Sequence, residues 1–266
     1  MALFPLRRAL AALAFALFGG LGSHAIAAEP VRIGISAEFG HLTSTSDDAI
    51  RAGIRMAIED INRAGGVLDG RPLELIERDD RSVPARMVSN VEAFAAMPDL
   101  VAMFCGKFSP AVLTALPAIH KNRMILLDPW AAADGIIDNG HQPNYAFRLS
   151  LRDTWAIDRL LDRGRERGLS KIGMLLPNTA WGRSSLAAAD RNVTRHPDRK
   201  LVATAWYNWG DKSLAEQYAS IRSAGAEVIL LVANELEGAL LVREIAAGPR
   251  GAGENSARWD GRDSGF

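Results

Sequence analysis

The residues able to do chemistry in this chain come in short polar clusters, each placed just after an apolar run. Ala37 to Ser46 carries hydroxyls, Asp79-Asp80-Arg81 carries charge, and Gly106-Lys107-Phe108-Ser109-Pro110 combines a cation, a ring and a hydroxyl. Asp128-Pro129-Trp130-Ala131-Ala132 follows, then Asn178-Thr179-Ala180-Trp181-Gly182, Asn208-Trp209-Gly210 and Asn234-Glu235. Short polar side chains, tryptophans and free helix N-termini together suit non-covalent capture of a small polar molecule with an apolar part. The spacing does not offer covalent or redox chemistry: there is no Gly-x-Gly-x-x-Gly, no Gly-x-x-x-x-Gly-Lys-Ser/Thr, no Gly-x-Ser-x-Gly and no His-Glu-x-x-His. The five histidines are scattered, and the single cysteine, Cys105, lies inside an apolar run and not at a helix start. The chain is read as a binder and not an enzyme, with no cofactor and no metal implied.

The elements that must position these clusters follow from periodicity. Apolar runs predict strands at 31–36, 72–79, 100–105, 124–128, 145–149, 171–176, 201–207 and 227–233. Helical spacing predicts helices at 48–64, 84–96, 109–122, 153–167, 183–195, 213–224 and 236–246. Such alternation gives an α/β fold whose parallel sheets carry helices on both faces. In open sheets of this kind ligands bind outside the carboxyl ends of the strands, which is where the polar clusters fall. The first helix shows the pattern well: Ile50, Ile54, Ala57, Ile58 and Ile61 form one face expected to pack on a sheet. Gly65-Gly66 then stops it, Asp69-Gly70 turns, and a strand ends in Asp79-Asp80. Only the stretch from Ala131 to Tyr145, rich in Asp, Asn, Gly and Pro, breaks the rhythm and reads as a long irregular connection.

The ends of the chain bear on its compartment. Residues 1–27 carry Arg7 and Arg8, a mostly apolar run from Ala9 to Leu21, and small residues around Ala25-Ile26-Ala27-Ala28, the layout of a secretory signal peptide cleaved near Ala27. Removing Arg7 and Arg8 leaves 29 basic against 31 acidic side chains, a formal charge of about −2. Nothing in that balance suggests a nucleic-acid partner, which would call for a basic patch. An exported chain with one cysteine has no internal disulfide, so its stability rests on its core.

A helix ending Ile61-Asn62-Arg63-Ala64-Gly65-Gly66-Val67-Leu68-Asp69-Gly70, followed by a strand closing on Asp79-Asp80, resembles the N-terminal signature of type I periplasmic solute-binding proteins. These form the leucine/isoleucine/valine-binding family of ABC importers, and the likeness continues through Gly106 to Ala111, Met124 to Ala133 and Phe147 to Ser150 before fading near Ala247. The resemblance implies two doubly wound parallel-sheet lobes, with 28–150 as lobe one and 151–247 as a partial lobe two, the chain first crossing around the irregular stretch and the boundary near Ser150. It implies a periplasmic binder that closes its lobes on a branched-chain amino acid or a similar small polar molecule and is recognised by an ABC permease in the inner membrane. A ligand-sensing regulator or receptor domain of the same fold is the alternative, as is a non-functional truncated fragment. From Gly248 onward the chain has no periodicity and almost no aliphatic residues, so 248–266 reads as a disordered tail and the chain as C-terminally truncated near Ala247, leaving exposed sheet or helix faces.

The resemblance also points to ligand-binding positions. In lobe one these are Ser109, Ala111, Asp128, Trp130 and Ala132, and in lobe two Trp181, Asn234 and Glu235. At Ser109 the family holds a ligand carboxylate with a hydroxyl and backbone amides, although Pro110 removes one donor; Ser109 at the N-cap with Pro110 at N1 would equally well start a helix. Asp128 stands where relatives more often have serine, and either meets a ligand amine or caps its own loop. Trp130 replaces a small residue and narrows the cleft or offers a stacking face, while Trp181 matches an aromatic wall of lobe two. Glu235 either meets a ligand amine or complements the helix that begins beside it. Lys107 offers a positive charge near Ser109 or is solvated surface, and Asp47 and Asp48 are read as helix caps.

Overall fold

The computed structural model describes residues 29–247, and among them eight strands and seven helices alternate along the chain. The expected signal peptide and tail lie outside the described residues. All eight predicted strands and seven predicted helices form, with ends shifted by three residues or fewer. The first lobe runs β1 (Val31–Ala37), α1 (Thr45–Arg63), β2 (Leu73–Asp79), α2 (Pro84–Ala95), β3 (Leu100–Cys105), α3 (Ser109–Lys121), β4 (Leu126–Asp128) and β5 (Ala146–Arg148). The second runs α4 (Asp153–Glu166), β6 (Lys171–Pro177), α5 (Ala180–Arg195), β7 (Lys200–Tyr207), α6 (Ala215–Ser223), β8 (Val228–Leu231) and α7 (Glu235–Ala247).

The strands make two parallel sheets, of order β2-β1-β3-β4-β5 and β7-β6-β8. Parallel neighbours cannot be joined by a hairpin, so the junctions are long crossovers, helical except from β4 to β5, where the connection holds only a short 3-10 turn. In the first lobe Phe94 of α2, Ile119 of α3, Met103 of β3 and Leu126 of β4 close one core. In the second, β6 is buried along almost its whole length because it is covered on both faces. Met174 and Leu176 pack with Ile157, Leu161 and Ala188 on one side, while Leu175 meets Ile221 and Leu241 on the other.

Two expectations change. The apolar face of α1 is only half-buried, and Ala57 and Ile61 stay exposed, because this helix lies against the edge strand β2. The stretch from Ala131 to Tyr145 is not where the chain crosses: it holds a 3-10 turn at Asp134–Ile136 and buries Ala131, Ala133 and Ile136 in the first core. The chain leaves the first sheet after Arg148, since β5 still pairs with β4. Exposed apolar surface is found at this edge, where Phe147 and Leu149 border a groove of about 280 Å³ with Phe104 and Leu127. Among the described residues no helix is long and apolar enough to cross a membrane.

The turn between α1 and β2 is closed by Val67 and Arg71, whose backbones exchange hydrogen bonds at 2.8 and 2.7 Å. Gly66 has φ +78°, and a Cβ there would stand 2.4 Å from the Arg71 carbonyl oxygen. Gly66→Ala is expected to lower stability by about 1–3 kcal/mol, measured by urea unfolding, because both the backbone conformation and the close approach exclude a side chain.

Candidate functional site

Parallel pairing brings the carboxyl ends of β1, β2 and β3 to one rim of the first lobe and those of β7 and β8 to a facing rim of the second. The loop after β3 is fixed from outside its own element. Asp47, in the first turn of α1, accepts a hydrogen bond from the Lys107 amide at 2.7 Å on one oxygen and from the Glu38 amide at 3.4 Å on the other. Gly106 makes this approach possible, since a Cβ on it would lie 2.6 Å from the Asp47 carboxylate. Burial pushes the Asp47 carboxyl up to about 6, against the pull of the Lys107 amide and ammonium. Asp48 instead accepts from the Ser44 hydroxyl at 2.6 Å and pairs with Arg51 at 2.8 Å. Neither acid caps α1, whose N-cap Ser44 makes no side-chain capping bond; this corrects the reading of both as caps.

Held in this way, Lys107 points across to the second lobe. Its side chain is only 6% exposed, and its Nζ donates to the Thr43 carbonyl and lies 3.4 Å from Glu235 Oε1. Beside it Phe108 meets Trp209 with ring centroids 4.5 Å apart and planes inclined by 48°. Around these contacts lies a cavity of about 320 Å³, bounded by Glu38, Thr43, Ser82, Lys107 and Phe108 from the first lobe and by Trp209, Gly210 and the Asn234 to Glu237 turn from the second. Glu237 is buried and has no hydrogen bond or ion pair among the described residues. Burial and then the Glu237 charge push the neighbouring Tyr207 phenol upward, while its hydroxyl donates to the Val232 carbonyl at 2.9 Å. The cavity thus offers carboxylates, one ammonium and aromatic surface at facing positions, which is equipment for holding a small charged molecule.

Of the predicted site residues, Asn234 and Glu235 line this cavity. The others lie elsewhere. Ser109 is the first helical residue of α3, with Phe108 at the N-cap and Pro110 one position further in, so the predicted N-cap and N1 assignments each move by one. The buried Ser109 hydroxyl accepts from the Ala132 and Ala133 amides at 3.2 and 3.3 Å, and Ala111 is buried in the first core. Asp128 is buried too: one oxygen accepts from the Trp130 and Ala131 amides at 3.0 and 2.8 Å and from the Cys105 thiol at 3.5 Å, and the other faces Arg148 at 3.3 Å. Burial pushes its carboxyl up, and these partners oppose the shift. The Ala132 carbonyl accepts from Arg148 at 3.3 Å, while Trp130 is half exposed. Trp181 packs on the second lobe's core and donates from Nε1 to Asp153 at 3.1 Å. Sequence reasoning placed Lys107, Phe108 and Trp209 in the right clusters but did not select them. It missed Glu237, which reads as an ordinary first-turn acid on α7.

A second contact joins the lobes at Asp134. Its carboxylate accepts from Thr154 and from Arg152 and Arg191, and its amide donates to the Ser184 hydroxyl at 3.1 Å. Burial pushes this carboxyl up, but the bonds from Thr154 and Arg152 outweigh it and hold the group low.

Comparison with known proteins agrees with this layout. Residues 30–248 match the periplasmic binding protein family. The chain belongs to that family. The leucine-, isoleucine-, valine-, threonine- and alanine-binding protein of Pseudomonas aeruginosa is 25% identical over 263 residues, covering 94% of this chain and 67% of the relative. Among solved structures, the branched-chain amino acid transporter substrate-binding protein of Streptococcus pneumoniae, in complex with isoleucine, aligns with a TM-score of 0.70 at 19% identity, covering 82% of this chain and 61% of that one. A solute-binding protein of an ABC transporter from Rhodopseudomonas palustris, in complex with 3,4-dihydroxybenzoic acid, aligns at 0.69 and 16% identity over 82% and 58%. This periplasmic binding protein therefore spans about two thirds or less of the length of these relatives.

The raised Asp47 carboxyl gives a pH signature. Between its ordinary value of 3.8 and about 6, the folded chain keeps a proton that the unfolded chain has lost. The stability from this group is full below the lower value and lost as pH rises through the upper one, by up to about 1.4 kcal/mol per pH unit. Asp47→Asn keeps an acceptor for the Lys107 amide and removes the titration. Urea unfolding at pH 4, 5, 6 and 7 is expected to show wild type losing stability relative to the variant across that window, and a constant difference would show that Asp47 titrates normally.

Proposed function

We propose that this chain is the exported solute-binding component of an ABC importer, taking a branched-chain amino acid or a similar small polar molecule between its lobes. The observation that carries the reading is the 320 Å³ cavity, which both lobes line and which combines Lys107, Glu235 and Glu237 with the apolar surfaces of Phe108, Trp209 and Leu236. An amino acid has the matching features: an ammonium, a carboxylate and a short apolar side chain. The leucine-binding and isoleucine-bound relatives support that class. The dihydroxybenzoic acid complex supports a wider one in which the aromatic pair matters more.

Function then follows from geometry. Only the closed arrangement touches a ligand from both sides, so ligand shifts the population towards closure in proportion to its preference for that state. Hinge closure in periplasmic binding proteins is one of the standard examples of such a transition. A permease in the inner membrane would read the closed form, with ATP hydrolysed by another subunit, and residues 1–27 would direct export before being removed near Ala27. No cofactor enters this scheme.

The test is thermal unfolding of the full chain, alone and with leucine, isoleucine, small amides, leucine-like amines and benzoic acids. A ligand at a hundredfold excess over its Kd adds about 2.7 kcal/mol, and the midpoint should rise further with concentration. A shift confined to one compound class names the ligand; no shift with any of them rejects the reading.

A further inference from the structure

His120, one residue from the end of α3, is only 7% exposed, and neither of its ring nitrogens has a hydrogen-bond partner among the described residues. Its ring lies flat on that of His141, with centroids 4.0 Å apart and planes inclined by 2°. Tyr145 closes the group, its ring centroid 6.1 Å from that of His120 and 6.4 Å from that of His141. His141 and Tyr145 belong to the connection between β4 and β5, so this stack is where the tip of that connection meets α3. The tip is braced within itself. The His141 amide donates to Asn139 Oδ1 and its ring Nδ1 donates to the Pro143 carbonyl, both at 2.9 Å. The side-chain amides of Asn139 and Asn144 donate to the Ile136 and Ile137 carbonyls, each also at 2.9 Å, so the tip can lift as one piece.

A neutral imidazole suits this site and a charged one does not. Charging puts an N–H on both ring nitrogens, and inside the stack neither meets an acceptor. The charged groups on the surrounding elements are committed elsewhere. From α2, Glu92 is held by Lys121 and Asn122 at 3.4 and 3.2 Å, and from α5, Arg191 is bound to Asp134 at 2.9 Å. Within the connection, Asp134 and Asp138 both turn to Arg152. Burial first, and then the His141 ring, hold the His120 pKa below its ordinary value of 6.5.

We propose that the His120–His141 stack is an acid-sensitive fastener: a proton is accommodated on His120 only once the tip lifts and water reaches the ring, so falling pH selects the lifted state. The same connection carries Asp134, whose carboxylate accepts from Arg152, Thr154 and Arg191 and whose amide donates to Ser184. Those bonds join the lobes, so release of the tip loosens the contact between them. The direction follows from linkage. Above 6.5 the ring is neutral in both states and the tip stays down; as pH falls through 6.5 the lifted state takes up the proton first, and the tip is progressively released.

The experiment follows amide hydrogen exchange of the full chain by mass spectrometry between pH 5.5 and 8, corrected for the intrinsic pH dependence of exchange, in wild type, His120→Phe and His141→Phe. No ligand is needed, so the outcome is independent of the binding function. In wild type the protection of 137–145 is expected to fall by up to about tenfold per pH unit below 6.5, the slope of one proton, while β6 stays protected. His120→Phe keeps the stacked ring without the titration, and its tip protection should be constant with pH. His141→Phe should retain the dependence, because His120 is still there. The radius of gyration from solution scattering should grow on acidification in wild type and stay constant in His120→Phe; both chains keep Asp47, so its titration cancels in the comparison. Constant tip protection in wild type, or an unchanged pH dependence in His120→Phe, overturns the fastener, and release of the tip at a constant radius overturns its link to the lobes. Should His120→Phe fail to fold, the wild-type ring titration followed by nuclear magnetic resonance decides: a His120 that takes up its proton at or above 6.5 with the tip still protected rejects the proposal.

Discussion

Parallel pairing is the constraint on which the rest of this molecule depends. Because every strand in both sheets runs the same way as its neighbours, each must be reached by a long crossover and not a hairpin, and all carboxyl ends in a sheet gather on one rim. Two such rims, set facing each other, make a cleft without any further instruction. What the side chains add is the shape of the loops at the rim. The loop after β3 keeps a backbone bond at each end, from the Gly106 amide to the Ser36 carbonyl and from the Ala111 and Val112 amides to the Phe108 carbonyl, and between them the Lys107 amide is held by a carboxylate reaching over from α1. Asp47 does for that loop what a ladder does for a strand, and Gly106 is the gap that lets it in.

This division explains what was legible in the sequence. Strands and helices declare themselves through local periodicity, so β6 with its continuous apolar run and α3 with Pro110 near its start were readable from their own residues. The rule that ligands lie beyond the carboxyl ends of strands found the loops that line the cavity. It could not choose among the residues in them. Asp128 and Ser109 have the chemistry of ligand contacts, but their oxygens are taken by amides of the same lobe. Lys107 reads as a solvated lysine, yet its side chain is almost wholly buried and the carboxylate its ammonium meets stands on the second lobe, more than a hundred residues further along the chain. Charge burial of that kind is set by tertiary packing, and no window of sequence contains it.

The carboxylates of the molecule fall into two kinds, and the difference bears on function. Asp47, Asp80 and Asp128 are all buried with carboxyls pushed upward by that burial, and each is compensated by donors from its own lobe. Asp80 illustrates the pattern: one oxygen accepts from the Ser36 hydroxyl and the other from the Ser82 amide, both at 2.8 Å. These groups spend their hydrogen-bonding capacity on fixing the rim, which makes them scaffold and leaves them poor candidates for ligand contacts. Glu235 and Glu237 differ in that both line the space between the lobes, and Glu235 looks across it to Lys107. Carboxylates that line a cavity between the lobes are placed to meet a cation held there. The rim carboxylates therefore divide by position: those turned into a lobe hold loops in place, and those turned into the cleft stay available to what enters it.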